Sequence, residues 1–507
     1  MSTERLLLAM TLLLAAGCAG EEPEPTDFPL GIRNVLLISI DTLRADHLGC
    51  YGNDVVQSPN LDALAAEGVV FERCISAAPT TLASHTSLFT GKYPHTHGIP
   101  RNGFVVHEDN RMLPEILVDL GFRTAGFAGA APLDTEVNFH QGFEHYDANF
   151  TVTEGVREGV YMRPANVVTE AGLAWLDELP SPEDQRFFLF LHYFDVHAPY
   201  ESPAPFAGMY AKNGKAAGGS FDDLTRVRGL LAQEGRAPEQ AKDRVGRARE
   251  EGFQRRLQEA NGPGLRQARA LAAEYAAGVT WTDHNLGLLF DGLRERGILE
   301  QTLVVIVADH GETLFDHSNT FNHGVSVFDS ETHVPWILRL PGGRHAGTRV
   351  GDVVSNVDVL PTLLRLMEIP APAEVEGRDV SATLQGESLP PRPVFSEATK
   401  PFGRPKYNDH PVWANNLKFQ GVRLGDHKYM FRLPDDTFRL YDLGEDPSEV
   451  ENLLKGDGAF DEQLRAELDR TLRAWQESAD PLKTGVTDSR EQLKALQALG
   501  YTGDEEE

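Results

Sequence analysis

The chain has 507 residues, 47 of them basic and 76 acidic, for a net charge of −29. Its 41% hydrophobic and 24% charged residues are those of a folded globular protein and exclude wholesale disorder. The charge disfavours nucleic acid as a partner, since phosphates are repelled, and three cysteines (Cys18, Cys50 and Cys74) cannot build a disulfide scaffold.

The first element is a targeting segment. Residues 6–16 read LLLAMTLLLAA behind a head containing Arg5, too short for a stable bilayer span. The string Leu14-Ala15-Ala16-Gly17-Cys18 resembles a bacterial lipobox, in which the cysteine is lipidated and becomes the new N-terminus. The alternative is a plain cleaved signal peptide. Residues 19–31, AGEEPEPTDFPLG, are an acidic, proline-rich tether. Lipid at Cys18 would hold an exported domain on the membrane surface of the bacterial cell envelope. Past residue 20, no run reaches the ~20 apolar positions of a membrane span, which excludes a polytopic membrane protein.

Strands and helices then alternate. VLLISI ahead of Asp41, FRTAGFAGA from Phe122, FFLFLHYFDVH from Phe187, TLVVIVADHGE from Thr302 and VPWILRL from Val334 are apolar on both faces. Such runs, separated by helical segments stopped by glycine (LDALAAEG and MLPEILVDLG), predict an α/β fold. A mostly parallel central sheet would be covered by helices on both sides. Residues 210–270 are richer in charge and helix formers and predict an exposed helical insertion, a lid or a solvated spacer. After Arg392, HKYMFRL and TFRLYDL with the helix DEQLRAELDRTLRAWQES predict a small C-terminal α+β subdomain. The expected organisation is a signal peptide over 1–17, a tether over 18–33, a catalytic domain over 34–385, a subdomain over 386–480 and a tail over 481–507.

In parallel sheets ligands bind beyond the carboxyl ends of strands. Asp41, His197, Asp309 and His310 all fall at such ends. An adjacent carboxylate and imidazole can turn toward one cation, and a His-plus-carboxylate set suits Zn or Mn. Residues 80–91, TTLASHTSLFTG, predict a helix with Thr80 or Thr81 at its N-terminus. There a hydroxyl sits among unpaired N–H groups that suit an anion; a simple threonine cap is the plainer meaning.

The order of the blocks is more specific than any one of them. ISIDTLRADHLGCYG, TLASHTSLFTGKYPHTHG, LHYFDVHAPY, VIVADHGE, HGVSVFDSETHVP and LYDLGEDPSEVENLL together resemble the sulfatase family of the alkaline phosphatase superfamily, from about residue 34 to about residue 476. The resemblance implies an alkaline-phosphatase-like fold and metal-dependent ester chemistry with one or two divalent ions (Mn, Zn or Ca). It implies Asp41, Thr81, Asp309 and His310 as metal ligands, Thr81 in the nucleophile position and His85 in place of the motif's arginine. His197 and His323 would face the substrate. The plain alternative for His95, His97, His317 and His333 is a hydrogen-bonded structural role.

The departures from the family are specific. Sulfatases place a Cys or Ser in a Cys-x-Pro-x-Arg frame for conversion to formylglycine; here the frame is Thr81-Leu82-Ala83-Ser84-His85. Thr42 replaces the second residue of the usual acidic pair, and the Lys-x-His element is missing from GFAGAAPLD. The chain thus resembles the Thr-nucleophile branches of the superfamily. The expected function is hydrolysis of a sulfate or phosphate ester of a small molecule, glycan or lipid through Thr81, a phosphodiester being favoured. The alternatives are a phosphoglycerol- or phosphoethanolamine-type transferase and an inactive binding lipoprotein.

Overall fold

The computed structural model describes residues 28–150, 162–180, 185–212, 214, 217–236, 252–399, 418–433, 437–455, 460–487 and 489–499. The lipobox and Cys18 lie outside the described residues.

Eight strands form the main sheet: β1 (Asn34–Ile40), β2 (Val69–Ile75), β3 (Arg123–Phe127), β4 (His145–Asp147), β5 (Phe187–Tyr193), β6 (Thr302–Val307), β7 (His333–Arg339) and β8 (Thr348–Ser355). Their order is β4-β3-β5-β1-β6-β7-β2-β8. The strands β1, β5 and β6 at the centre are buried at every residue, which is why they read as unbroken apolar runs. The expected α/β fold with a mostly parallel sheet holds. One predicted strand departs from the parallel direction: β7 runs antiparallel to both β6 and β2. The chain passes from β6 to β7 without a long crossover helix, so it returns in the opposite direction. The strands β2 and β8 carry charged residues among the apolar ones, and the sequence pattern did not disclose them.

A second sheet of four antiparallel strands, β9 (Val394–Thr399), β10 (Lys418–Leu424), β11 (His427–Arg432) and β12 (Thr437–Asp442), packs with the helix Glu462–Glu477 around Leu468, Leu472 and Trp475. This is the C-terminal α+β subdomain. Farther on, in the stretch read as tail, the helix Arg490–Ala498 returns to the first domain and buries Ala495 and Leu496 in its core.

Within the 210–270 segment, the helix Phe221–Glu234 turns Leu224, Val227 and Leu231 inward, and Phe253–Ala260 buries Phe253 and Leu257. Both belong to the main core, beside the 33-residue helix Pro263–Glu295. The described part of the insertion is therefore packed structure and not a solvated spacer. Among the described residues, no helix is long and apolar enough to cross a membrane.

Candidate active site

Three adjacent central strands deliver the site. Asp41 directly follows β1, His192 is the penultimate residue of β5, and Asp309 and His310 follow β6. Ser39 is the register partner of both His192 and Val307. Side chains alternate along a strand, so Ser39 and Asp41 share one face, with His192 beside them. The helix Thr81–Thr90 lies on that face with its N-terminus toward the carboxylates, and ends at Gly91, whose φ of 66° suits glycine.

At this end of the sheet polar atoms are buried in an unusual arrangement. Asp41, Thr81, His85, His192 and His310 are fully buried and Asp309 nearly so. Thr81 Oγ1 donates to Asp41 Oδ2 at 3.4 Å. His310 Nε2 lies 3.4 Å from Asp309 Oδ2 and 4.0 Å from Asp41 Oδ1. Those three atoms, Asp41 Oδ1, Asp309 Oδ2 and His310 Nε2, have no hydrogen-bond partner among the described residues. Leaving buried polar atoms unsatisfied costs about 1–3 kcal/mol each, more for a charged group, so three of them facing one another fit a cation. The ligand atoms lie within 4.8 Å of one another. Donors held at about 2.0–2.4 Å from one centre span no more than that. The expected ligands Asp41, Asp309 and His310 are thus brought together, with the Thr81 hydroxyl beside them.

The electrostatics agree with this arrangement. Burial drives the Asp41 carboxyl up to about 7, with Glu312 adding to the rise and His310 opposing it. Asp309 is raised too, by burial and then by Asp41. Burial alone would lower His310, but the carboxylates of Asp309 and Asp41 hold it above its ordinary value. A divalent charge placed among these groups relieves the repulsion between the two carboxylates.

The β1 exit is held from several sides. Thr42 has a φ of 56°, an unfavourable conformation for a β-branched residue. Its amide donates to Asp309 Oδ1 at 3.2 Å, and its carbonyl accepts from the Tyr275 hydroxyl at 2.7 Å. The Arg44 amide donates to the same hydroxyl, and the Arg44 guanidinium bridges Asp46 and Asp316. These bonds fix the turn that aims Asp41.

The remaining sequence-predicted residues separate into two groups. His197 and His323 stand together beside the cation ligands: their rings are 5.0 Å apart, and His323 is 4.5 Å from His310. His197 Nδ1 donates to the Ala198 carbonyl at 2.5 Å, and His323 Nδ1 faces Glu312 at 3.4 Å. Burial lowers His197 to about 3, and burial with His310 lowers His323 well below the ordinary imidazole range. His85 is placed differently. Its Nδ1 donates to the Thr81 carbonyl at 2.7 Å and its Nε2 accepts from Ser39 Oγ at 2.8 Å, so it supports the helix from behind. His95, His97, His317 and His333 are engaged elsewhere, with Glu376, Ser87, the Phe328 ring and the Glu72 carbonyl respectively. Cys50 and Cys74 are unpaired.

Four neighbours of the site were missing from the sequence reading. His192 Nε2 lies 3.2 Å from Asp41 Oδ2. Asn102 Oδ1 accepts from the Leu82 amide at 2.8 Å, while its Nδ2 is buried at the same helix N-terminus with no partner among the described residues. Glu312 is buried against His323. Arg228, on the insertion helix, donates from Nε to the Thr320 carbonyl at 3.3 Å and from Nη2 to the Phe321 carbonyl. Gln254 donates to the Phe315 carbonyl of the same loop at 2.5 Å. The unbroken apolar run of β5 marks His192 as buried but attaches no chemistry to it. Arg228 and Asn102 reach the site only through tertiary packing.

Known proteins share this architecture. A family model described as sulfatase matches residues 33–369, and one described as N-sulphoglucosamine sulphohydrolase, C-terminal, matches residues 319–478. The chain is 25% identical over 509 residues to the N-acetylglucosamine-6-O-sulfatase of Bacteroides thetaiotaomicron, covering 89% of this chain and 87% of the relative. It is 28% identical over 473 residues to the ulvan-active sulfatase of Formosa agariphila, covering 89% and 81%. Among solved structures, BT4656 in complex with its substrate D-glucosamine-2-N,6-O-disulfate superposes with a TM-score of 0.67 at 21% identity, over 89% of this chain and 98% of that one. The phosphonate monoester hydrolase of Agrobacterium radiobacter superposes with a TM-score of 0.64 at 22% identity, over 88% and 96%. The first family model alone spans about two thirds of the sequence and contains every predicted ligand, and on that ground this chain belongs to the sulfatase family of hydrolases.

Proposed function

We propose that this chain is a metal-dependent hydrolase that cleaves its ester by covalent catalysis through Thr81, with a phosphodiester as the preferred substrate. The observation that carries the reading is the position of Thr81. Its hydroxyl stands at a helix N-terminus against Asp41, beside three buried donor atoms that have no partners among the described residues. A divalent cation held by Asp41, Asp309 and His310 would acidify the Thr81 hydroxyl and offset negative charge on the ester.

The rest follows from the chain's own groups. Thr81 Oγ attacks phosphorus in line, forming the Thr81–O–P bond as the bond to the leaving oxygen breaks. Asn102 Nδ2 and the helix N-terminus offer donors to the equatorial oxygens. His197 carries its proton on Nδ1, toward the Ala198 carbonyl, so Nε2 is a proton acceptor. It and His323 would take a proton during attack and return it to the leaving oxygen. In the second half, water attacks phosphorus and gives a proton to the same imidazole as the Thr81–O–P bond breaks, and the imidazole returns that proton to Thr81 Oγ. A formylglycine hydrate can expel sulfate by losing a second proton, whereas threonine must await water, which favours phosphate. Among the described residues of the insertion, Arg228 comes near the pocket, a small cationic complement for a dianion and hence a reason to prefer the singly charged diester.

A second reading, hydrolysis of a sulfate ester on a glycan, is favoured by the relatives active on N-acetylglucosamine-6-O-sulfate and ulvan. Both readings place the domain on the outer side of a membrane through lipid at Cys18. The test is turnover of matched aryl sulfate, aryl phosphate and aryl phosphodiester substrates by metal-loaded protein. Fastest turnover of the diester is expected; turnover of the sulfate alone would replace the first reading with the second.

A further inference from the structure

His85, His192, His197 and His310 each have one ring nitrogen committed to a backbone partner, and that partner dictates which nitrogen holds the proton of the neutral ring. His310 Nδ1 faces the Gly311 carbonyl at 2.9 Å, which can only accept. In the neutral ring, the form that can bind a cation, the proton of His310 is therefore on Nδ1, and its Nε2 lone pair is turned toward Asp41 and Asp309. His192 is the reverse case. The Gly129 amide donates to His192 Nδ1 at 3.2 Å, so the lone pair is on Nδ1 and the proton on Nε2. The contact is enforced by close backbone packing: a Cβ on residue 129 would lie 2.4 Å from the His192 carbonyl oxygen.

This matters because His85, His192 and Asp309 form a second group whose donor atoms lie within 4.8 Å of one another. To ligate an ion, His192 Nε2 would need its proton on Nδ1, opposed donor to donor by the Gly129 amide. His85 Nδ1, 3.7 Å from Asp309 Oδ2, is likewise committed as a donor to the Thr81 carbonyl. His192 therefore presents an N–H, not a lone pair, to Asp41, and the Nδ1–H of His85 is spent on the Thr81 carbonyl.

We propose that His192 is a positioning residue for the cation site, its Nε2–H restraining Asp41 Oδ2 so that Asp41 Oδ1 stays turned toward Asp309 and His310. Nε2 is fully buried and lies 3.2 Å from Asp41 Oδ2, without a well-aligned acceptor among the described residues. In the proposed arrangement the Asp41 carboxylate turns to bring that pair into line. Thr81 Oγ1 donates to the same oxygen. Both donors converge on Oδ2 and leave Oδ1, the oxygen without a partner, for the ion. Partners of this kind, one step removed from the ion, typically contribute about 10–100-fold to metal affinity.

The inference rests on the cation reading of Asp41, Asp309 and His310, and its test reads metal binding, not turnover. Mn²⁺ is titrated into the full chain, its His192→Phe variant, which keeps a ring and loses the N–H, and its His192→Gln variant, which places an amide N–H near the Nε2 position. The expected result is a loss of about 10–100-fold in affinity for His192→Phe and of no more than about threefold for His192→Gln. Pulsed electron paramagnetic resonance with ¹⁵N-histidine should count one coordinated imidazole in the wild type and in both variants. Equal affinity in wild type and His192→Phe, or equal losses in both variants, overturns the proposal. Two imidazoles in the wild type overturn it as well, a measurement that needs neither variant to fold. A wild-type chain that binds no Mn²⁺ overturns the cation reading and this inference together.

Discussion

Thr81 Oγ1 and Asp41 Oδ2 are 3.4 Å apart although 40 residues separate them in the chain, and the contact joins the candidate nucleophile to a candidate cation ligand. The pairing arises because a buried helix N-terminus is set against the carboxyl end of β1. Removing the hydroxyl should therefore separate chemistry from binding. Thr81→Ala is expected to lose about 10³-fold or more in kcat while retaining Mn²⁺ within about tenfold, and Thr81→Ser should keep measurable turnover. Mass spectrometry of wild-type protein quenched during turnover should find the covalent adduct on Thr81. Full activity in Thr81→Ala would remove it from the mechanism.

The dependence on pH follows from the buried carboxylates. Without a cation, burial raises Asp41 from an ordinary value near 3.8 to about 7. The folded form then holds its proton more tightly than the unfolded form. The stability this contributes is fully present below pH ~4 and is lost as pH rises through ~7. Asp309, raised by the same cause, acts in the same direction. A cation bound there would replace that proton. The rise in melting temperature on adding Mn²⁺ should accordingly be larger at pH 8 than at pH 5.5, and binding should release protons measurable by calorimetry in buffers of different ionisation enthalpy. A shift that is larger at the lower pH would contradict the assignment.

Arg228 connects the insertion to the loop that carries Glu312 and His323. Its N–H groups go to the Thr320 and Phe321 carbonyls, so its removal should loosen that loop. Arg228→Ala is expected to lower kcat about tenfold with a stability loss of about 1–2 kcal/mol. Arg226→Ala, two residues away in an exposed pair with Asp223, should change neither. Hydrogen exchange across residues 313–323 provides the check: faster exchange in Arg228→Ala and unchanged exchange in Arg226→Ala.

The proposed localisation rests on one side chain, Cys18. Cys18→Ala is expected to move the protein from the membrane fraction to the soluble fraction or to block removal of the signal peptide. Unchanged fractionation with membranes would count against lipid at Cys18.

The sequence by itself determined the central strands and the order of the site. Unbroken apolar runs ending in Asp41 and just before Asp309 and His310 have no other comfortable place than the middle of a covered sheet, and strand ends there must open onto a ligand cleft. It narrowed the helix start to Thr80 or Thr81, since a threonine that opens a helix closed by Gly91 is a local signal, and the family resemblance singled out Thr81. Only the tertiary structure decided the rest. The direction of β7 depends on how a long loop folds back, which no period-2 pattern encodes. The task of each histidine depends on what its other ring nitrogen meets. His310 turns a lone pair toward Asp41 and Asp309 because a carbonyl faces its Nδ1, whereas His192 turns an N–H toward Asp41 because an amide from a different strand end faces its own Nδ1. Proton placement in a buried imidazole is a property of its neighbours in space, and neighbours 63 residues apart, as His192 and Gly129 are, become legible only once the chain has folded.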